Sequence, residues 1–192
     1  MVKTYKILSI LLSYPEKEIK ELLPEVTGNL ETESILKAHE IDGIRQFIKF
    51  ISAMELIEWQ EYYVQLFDYS SAVSLNLFEH VHGNSKDRGQ AMVDLINFYN
   101  ENGLEINRAE LPDYLPAFLE FLSLQEPVKA AELLAEPVNI LEHIYNRLKE
   151  KENHYQYILA AIISLSTREP NHKLHEEPRV GFGDDPCEKC KT

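Results

Sequence analysis

The runs SILKAHEIDGIRQFIKFI (residues 34–51) and MELIEWQEYYVQLF (residues 54–67) decide the fold class. In the first, Ile41, Ile44, Ile48 and Ile51 recur at intervals of three and four, while Lys37, Glu40, Arg45 and Lys49 fall on other faces. That spacing predicts an amphipathic helix. The second run repeats it with Leu56, Trp59, Tyr63 and Leu66 or Phe67. Its aromatic side chains bury large areas each, which places this helix near the centre of a core.

Helical spacing continues on both sides. Upstream, Lys3 and Lys6 precede a short apolar stretch, Ile7 to Leu12, interrupted by Ser9 and lacking a small-residue cleavage site. It reads as a first helix and not as a secretory signal. Downstream, a serine-rich break (Ser70, Ser71, Ser74) is followed by Leu75 to Glu79, the loop Gly83-Asn84-Ser85, and a helix from Lys86 to Asn100. Met92, Leu95, Ile96 and Tyr99 mark its inner face, and Asn102-Gly103 ends it in the manner of a left-handed C-terminal position. In Leu111-Pro112-Asp113-Tyr114-Leu115-Pro116, Asp113 reads as an N-cap and Pro116 as a first-turn residue. The stripe Leu115, Phe118, Leu119 and Leu122 follows. Pro127 and Pro137 each open a helix, the second carrying Leu141, Ile144, Tyr145 and Leu148 on one face. Tyr155 to Ser166 forms a last apolar helix with Ile158, Ile162 and Leu165.

The expectation is an all-α protein, a single compact multi-helix bundle over residues 1–167 with a flexible C-terminal tail over residues 168–192. Three of the nine prolines fall in that tail, whose apolar residues are only Leu174, Val180, Phe182, Cys187 and Cys190. A length of 192 residues suits one domain, and 44% hydrophobic residues supply a core. The 32 acidic residues outweigh 19 Lys and Arg, a formal charge of −13. Such a field repels phosphate backbones and anionic headgroups, so nucleic acid is excluded as the expected partner and a basic peptide favoured. No run of about 18 apolar residues exists, so membrane insertion is not expected. With no disulfide framework to build, the two cysteines fit a cytoplasmic protein.

The chemistry-bearing residues concentrate in LNLFEHVHGNSKDRGQAM, residues 75–92. Glu79 and His82 have the i,i+3 spacing of a metal-binding Glu-x-x-His pair, but a di-iron bundle needs a second such pair and two more carboxylates. Glu79, His80, His82 and Asp87 therefore stand as an alternative, a metal-dependent helical enzyme, against capping and hydrogen bonding at a helix end or a partner-binding surface. Cys187 and Cys190, with His172 and His175, make a weak zinc set of loose spacing. No phosphate loop and no nucleophile elbow is present.

Four ordered stretches carry a resemblance: Phe67-Asp68, Leu77 to Gly83 (LFEHVHG), Asp87 to Met92 (DRGQAM) and Glu110 to Pro116 (ELPDYLP), with Leu11 to Pro15 (LLSYP) before them. Together they resemble the NarJ-type nitrate reductase assembly chaperones, the delta-subunit proteins of molybdenum cofactor assembly. The wider superfamily of redox-enzyme maturation chaperones carries Glu-Pro-x-Asp-His at a helix start. Here Glu110-Leu111-Pro112-Asp113-Tyr114 sets the proline one place later and puts tyrosine where those relatives have histidine. The resemblance implies an all-helical cytoplasmic chaperone with no cofactor of its own, not an enzyme. Its partner would be the catalytic (alpha) subunit of respiratory nitrate reductase. The chaperone would bind that subunit's leader-like N-terminal segment and hold it for metal-centre and cofactor insertion before membrane docking. A passive adaptor for a folded surface is the remaining alternative.

A basic amphipathic helix needs an apolar groove with an acidic rim. The groove is expected between the helices carrying Phe67 and Leu77-Phe78 and the helix beginning at Asp113, with Glu79 to Arg88 as its lip. The expected peptide-binding residues are Tyr63, Phe67, Leu77, Phe78, Glu79, His80, His82, Asp87, Arg88, Asp113, Tyr114 and Leu115. Protonated His80 and His82 would oppose a basic ligand. The polar stretch from Asp68 to Ser74 would serve as a hinge in a domain-swapped homodimer.

Overall fold

Helix packing is organised around the first helix of the chain. The structure is a computed structural model that describes residues 3–83, 85–105 and 111–166. In chain order the elements are α1 (Lys3–Leu12), α2 (Lys17–Glu33), α3 (Ala38–Ser52), α4 (Leu56–Phe67), a 3-10 turn at Ser71–Val73, α5 (Leu77–His82), α6 (Asp87–Glu101), α7 (Leu115–Ser123), α8 (Pro127–Leu134), α9 (Val138–Glu150) and α10 (Gln156–Ser164). The described residues contain no β-strand, only an isolated antiparallel bridge between Asn76 and Tyr114. The all-α expectation holds. The tail and its His172, His175, Cys187 and Cys190 lie outside the described residues, as do Asn84 and Glu110.

Tyr5, Leu8, Leu11 and Leu12 give α1 a buried stripe, and its most extensive packing is against α7. Two buried hydroxyls join the stripe because each finds an acceptor. Ser9 Oγ donates to the Pro116 carbonyl at 2.7 Å, and Thr4 Oγ1 donates to Glu33 Oε2 at 2.6 Å. Glu33 also accepts the amide N–H groups of Lys3 and Thr4, so a carboxylate at the end of α2 satisfies the first turn of α1. On the other side α10 lies between α3, α9 and α1. Gly43 of α3 permits the approach: a Cβ there would sit 3.0 Å from the Tyr157 ring.

The centre is aromatic, as the sequence of α4 predicts. Trp59 is completely buried, and its indole N–H donates to Tyr155 Oη at 2.9 Å. Phe47 and Phe67 pack on the Tyr155 ring at centroid distances of 4.7 and 4.9 Å. α2 is a helix that the spacing argument did not flag. Pro24 and Gly28 interrupt it, and it buries only Leu23, Val26 and Leu30. α3 starts later than expected, at Ala38, because Ser34 closes α2 in a left-handed conformation and the Glu40 carboxylate accepts the Lys37 amide N–H at 2.6 Å.

Candidate functional site

Two loops distant in sequence are stitched together ahead of α5 and α7. The Leu77 amide donates to the Asp113 carbonyl at 2.9 Å, and the Leu115 amide donates to the Leu75 carbonyl at 2.8 Å. This pairing carries Asp113 to the start of α5. There its Oδ2 accepts the Phe78 amide N–H at 3.0 Å. The expected N-cap role is corrected accordingly: Tyr114 occupies the cap position of α7, and the Asp113 side chain serves the first turn of α5 instead. Pro116 lies in the first turn of α7 as expected.

Beside this junction opens an apolar cleft of about 380 Å³. α5 contributes Leu77, Phe78 and Val81, and α6 contributes Leu95, Phe98 and Tyr99. Phe118 of α7, Leu133 of α8 and Ile140 of α9 form the facing walls, with Pro137 between the last two helices. The charged residues that line it are Asp113 and Glu136, both carboxylates. Tyr99, wholly buried, donates from its hydroxyl to the Pro112 carbonyl at 3.0 Å and so anchors α6 to the loop that carries Asp113. It is the single buried residue of α6, and the expected inner-face residue Ile96 is 40% exposed. The α5–α6 pair is therefore a thin jaw on a well-packed body.

The Asp113 side chain is completely buried, and its Oδ1 has no hydrogen-bond partner within the protein. Burial raises its pKa above the usual carboxylate value, opposed by amide N–H groups and the Arg88 guanidinium. Arg88 Nη2 lies 3.4 Å from Glu79 Oε1 and 3.7 Å from Asp113 Oδ2. Glu79 and Arg88 also border a second depression, with Ser85, Met92 and Leu111.

Of the expected residues, Leu77, Phe78 and Asp113 line the cleft, and Glu79 and Arg88 stand at its edge. Tyr63, Phe67 and Leu115 are not among its lining residues and lie buried in the core. Tyr63 belongs to the core: its hydroxyl donates to the Leu12 carbonyl at 2.9 Å and accepts from Tyr114 Oη at 2.7 Å. Tyr114 is held by that bond beneath the bridge. The walls of this cleft come from α5, α6, α7, α8 and α9, and the helix carrying Phe67 contributes none of its lining.

The polar cluster at residues 79–87 diverges. His80 Nε2 donates to the Ser74 carbonyl at 2.8 Å, the His82 ring meets the Phe78 ring edge-on at 5.6 Å, and Asp87 Oδ2 accepts from Ser85 Oγ at 3.1 Å. With Glu79 turned to Arg88, these four side chains do not converge on one point. Among the described residues no group of three or more His, Cys, Asp or Glu is placed to hold a metal ion. Val81, Leu95, Phe98, Tyr99, Leu133, Glu136, Pro137 and Ile140 line the cleft without having been picked out for it. A signal existed in α9, where Ile140 stands outside the stripe of Leu141, Ile144 and Leu148.

The fold and site together define an all-helical protein with an apolar cleft whose charged lining residues are both carboxylates. The comparisons make the assignment specific. This chain belongs to the nitrate reductase delta subunit family, whose model matches residues 37–169. It is 36% identical over 160 residues to the nitrate reductase molybdenum cofactor assembly chaperone NarJ of Escherichia coli strain K12, covering 83% of this chain and 68% of that protein. It is 30% identical over 207 residues to the probable nitrate reductase molybdenum cofactor assembly chaperone NarW of the same strain, covering 97% and 87%. The probable NarJ chaperone of Bacillus subtilis strain 168 is 26% identical over 170 residues, covering 86% and 91%. These relatives are named as assembly chaperones, not enzymes. No helix among the described residues is long and apolar enough to cross a membrane.

Proposed function

We propose that this chain is a cytoplasmic, system-specific chaperone. It binds the leader-like N-terminal segment of the nitrate reductase catalytic subunit in the α5–α9 cleft and holds the subunit for metal-centre and molybdenum cofactor insertion before it docks at the membrane. The observation that carries the reading is the cleft itself: about 380 Å³ of apolar space whose charged lining is Asp113 and Glu136. An amphipathic helix can lay three or four aliphatic anchors into such a groove and direct its cations to the carboxylates. Anchors contributing about 1.5–3 kcal/mol each, less about 2–5 kcal/mol for ordering the peptide, leave binding near the micromolar range once attraction is added. A chaperone must release its client, and that affinity is releasable.

Calorimetric titration with a synthetic N-terminal peptide of the catalytic subunit tests this. Heat with a dissociation constant in the micromolar range is expected, weakened by salt and by Glu79→Lys at the edge of the cleft. An absence of heat and of any mobility shift at about 100 micromolar peptide would defeat the proposal.

A further inference from the structure

Asp113 is an incompletely satisfied buried carboxylate. Its Oδ2 has the Phe78 amide at 3.0 Å and Arg88 Nη2 at 3.7 Å, whereas Oδ1, equally buried in a residue that lines the cleft, meets no donor of the protein. Buried polar atoms without partners are rare because desolvation is not returned. Arg88 does not complete the site. It presents the same nitrogen to Glu79 Oε1 at 3.4 Å and to Asp113 Oδ2 at 3.7 Å, both longer than the roughly 2.7–2.9 Å of a strong charge-assisted bond. Its guanidinium fork is matched bidentately to neither. The Arg88 side chain is 22% exposed and borders the second depression beside Glu79, so it has somewhere to turn. Two carboxylates around one guanidinium leave one negative charge over.

We propose that Arg88 is an internal stand-in for the ligand's cation, and that Arg88 turns toward Glu79 and the second depression when a guanidinium or ammonium group of the bound peptide pairs with the incompletely satisfied Asp113 carboxylate. The proposal rests on the cleft being the peptide site. It makes Arg88 a specificity element: the empty cleft is partly neutralised from within, and a basic peptide must outcompete that charge. The sign of its contribution is then opposite to that of an ordinary contact residue. Removing a cation beside the place where another must dock relieves repulsion, and the partly buried setting limits screening.

The test titrates the same N-terminal peptide, and its analogue with every Lys and Arg replaced by Gln, into wild type, Arg88→Gln and Lys86→Gln at low salt. Lys86 is an exposed cation on the same jaw and controls for net charge. Arg88→Gln should bind the basic peptide about five- to tenfold more tightly than wild type. Lys86→Gln should change affinity less than about twofold, and the Gln-substituted analogue should not distinguish Arg88→Gln from wild type. Asp113→Asn in the Arg88→Gln background should remove the gain. Weaker or unchanged binding by Arg88→Gln, an equal gain in Lys86→Gln, or a gain that persists with the uncharged analogue overturns the stand-in role alone. If neither wild type nor Arg88→Gln binds either peptide, the proposed function falls and this inference with it.

Discussion

Asp113→Asn should stabilise the protein at neutral pH, although it deletes a buried ion-pair partner. The carboxyl pKa is raised in the folded state, burial being the largest cause. A raised acid pKa means that the folded protein binds the proton more tightly than the unfolded chain. Ionisation of Asp113 therefore costs folding free energy, and this group's contribution is lost as pH rises from its unfolded pKa through its raised folded pKa. This is the reverse of a salt-bridged aspartate. Asparagine keeps an acceptor for the Phe78 amide and carries no charge, while Arg88 retains Glu79 as a partner. Replacing an unsatisfied charged oxygen by a neutral amide should gain about 1 kcal/mol, which for a chain of this size raises Tm by about 2–4 °C. Urea unfolding of both proteins at pH 7 and pH 4 measures it, with Asp113→Ala as the control that loses the acceptor and should be less stable than Asn. The advantage of Asp113→Asn should shrink on acidification. A variant less stable than wild type at pH 7, or an advantage that grows toward pH 4, would refute the reasoning.

Other substitutions probe the frame and the cleft separately. Tyr155→Phe removes the acceptor of the Trp59 indole and should cost about 1–3 kcal/mol by urea unfolding. Trp59, the sole tryptophan and wholly buried, reports that transition through a red shift of its emission. Glu33→Ala strips the first turn of α1 of its side-chain acceptor and should lower stability by about 1–2 kcal/mol, read as a Tm shift in calorimetry. Ile140→Trp fills the cleft from its α9 wall and should abolish peptide heat while leaving Tm within about 2 °C of wild type. Loss of binding accompanied by a large drop in Tm would show that Ile140 supports the core.

The frame was legible because its helices bury continuous stripes. The isoleucines of α3 and the aromatics of α4 fall where spacing puts them, and Gly103, at φ +86°, follows α6 as the Asn102-Gly103 signal indicated. α2 was illegible because three buried side chains in seventeen residues, with a proline inside, leave little periodicity to read. At the cleft, Leu77, Phe78 and Asp113 of the expected residues are in the lining, whereas Tyr63 and Phe67 lie in the core. Spacing reports that Tyr63 and Phe67 face inward; it does not say whether another layer covers them, and Tyr155, brought in by the return of the chain just ahead of α10, packs on both. Asp113 shows the same limit. Its place before a proline-opened helix suggested capping of its own helix, but the bridge to Asn76 delivers it to another one.

The two halves of the molecule handle unmet interactions differently, and that difference bears on function. In the body, four buried donors of α1 and α4 find acceptors: Ser9 with Pro116, Thr4 with Glu33, Tyr63 with Leu12 and Trp59 with Tyr155. At the jaw the opposite holds. α6 buries one residue of fifteen, Val81 and Val93 stand 58% and 50% exposed, and Asp113 keeps an unpartnered oxygen. Apolar surface and a bare buried acceptor both carry a free-energy cost that a suitable ligand removes. A ligand able to remove both at once must be apolar along one face and offer a donor among its anchors. The α5–α6 jaw meets the body through the Tyr99–Pro112 bond, the Phe98 ring on Phe121 and the Asn76–Tyr114 bridge, so both costs fall on the part of the fold that buries least.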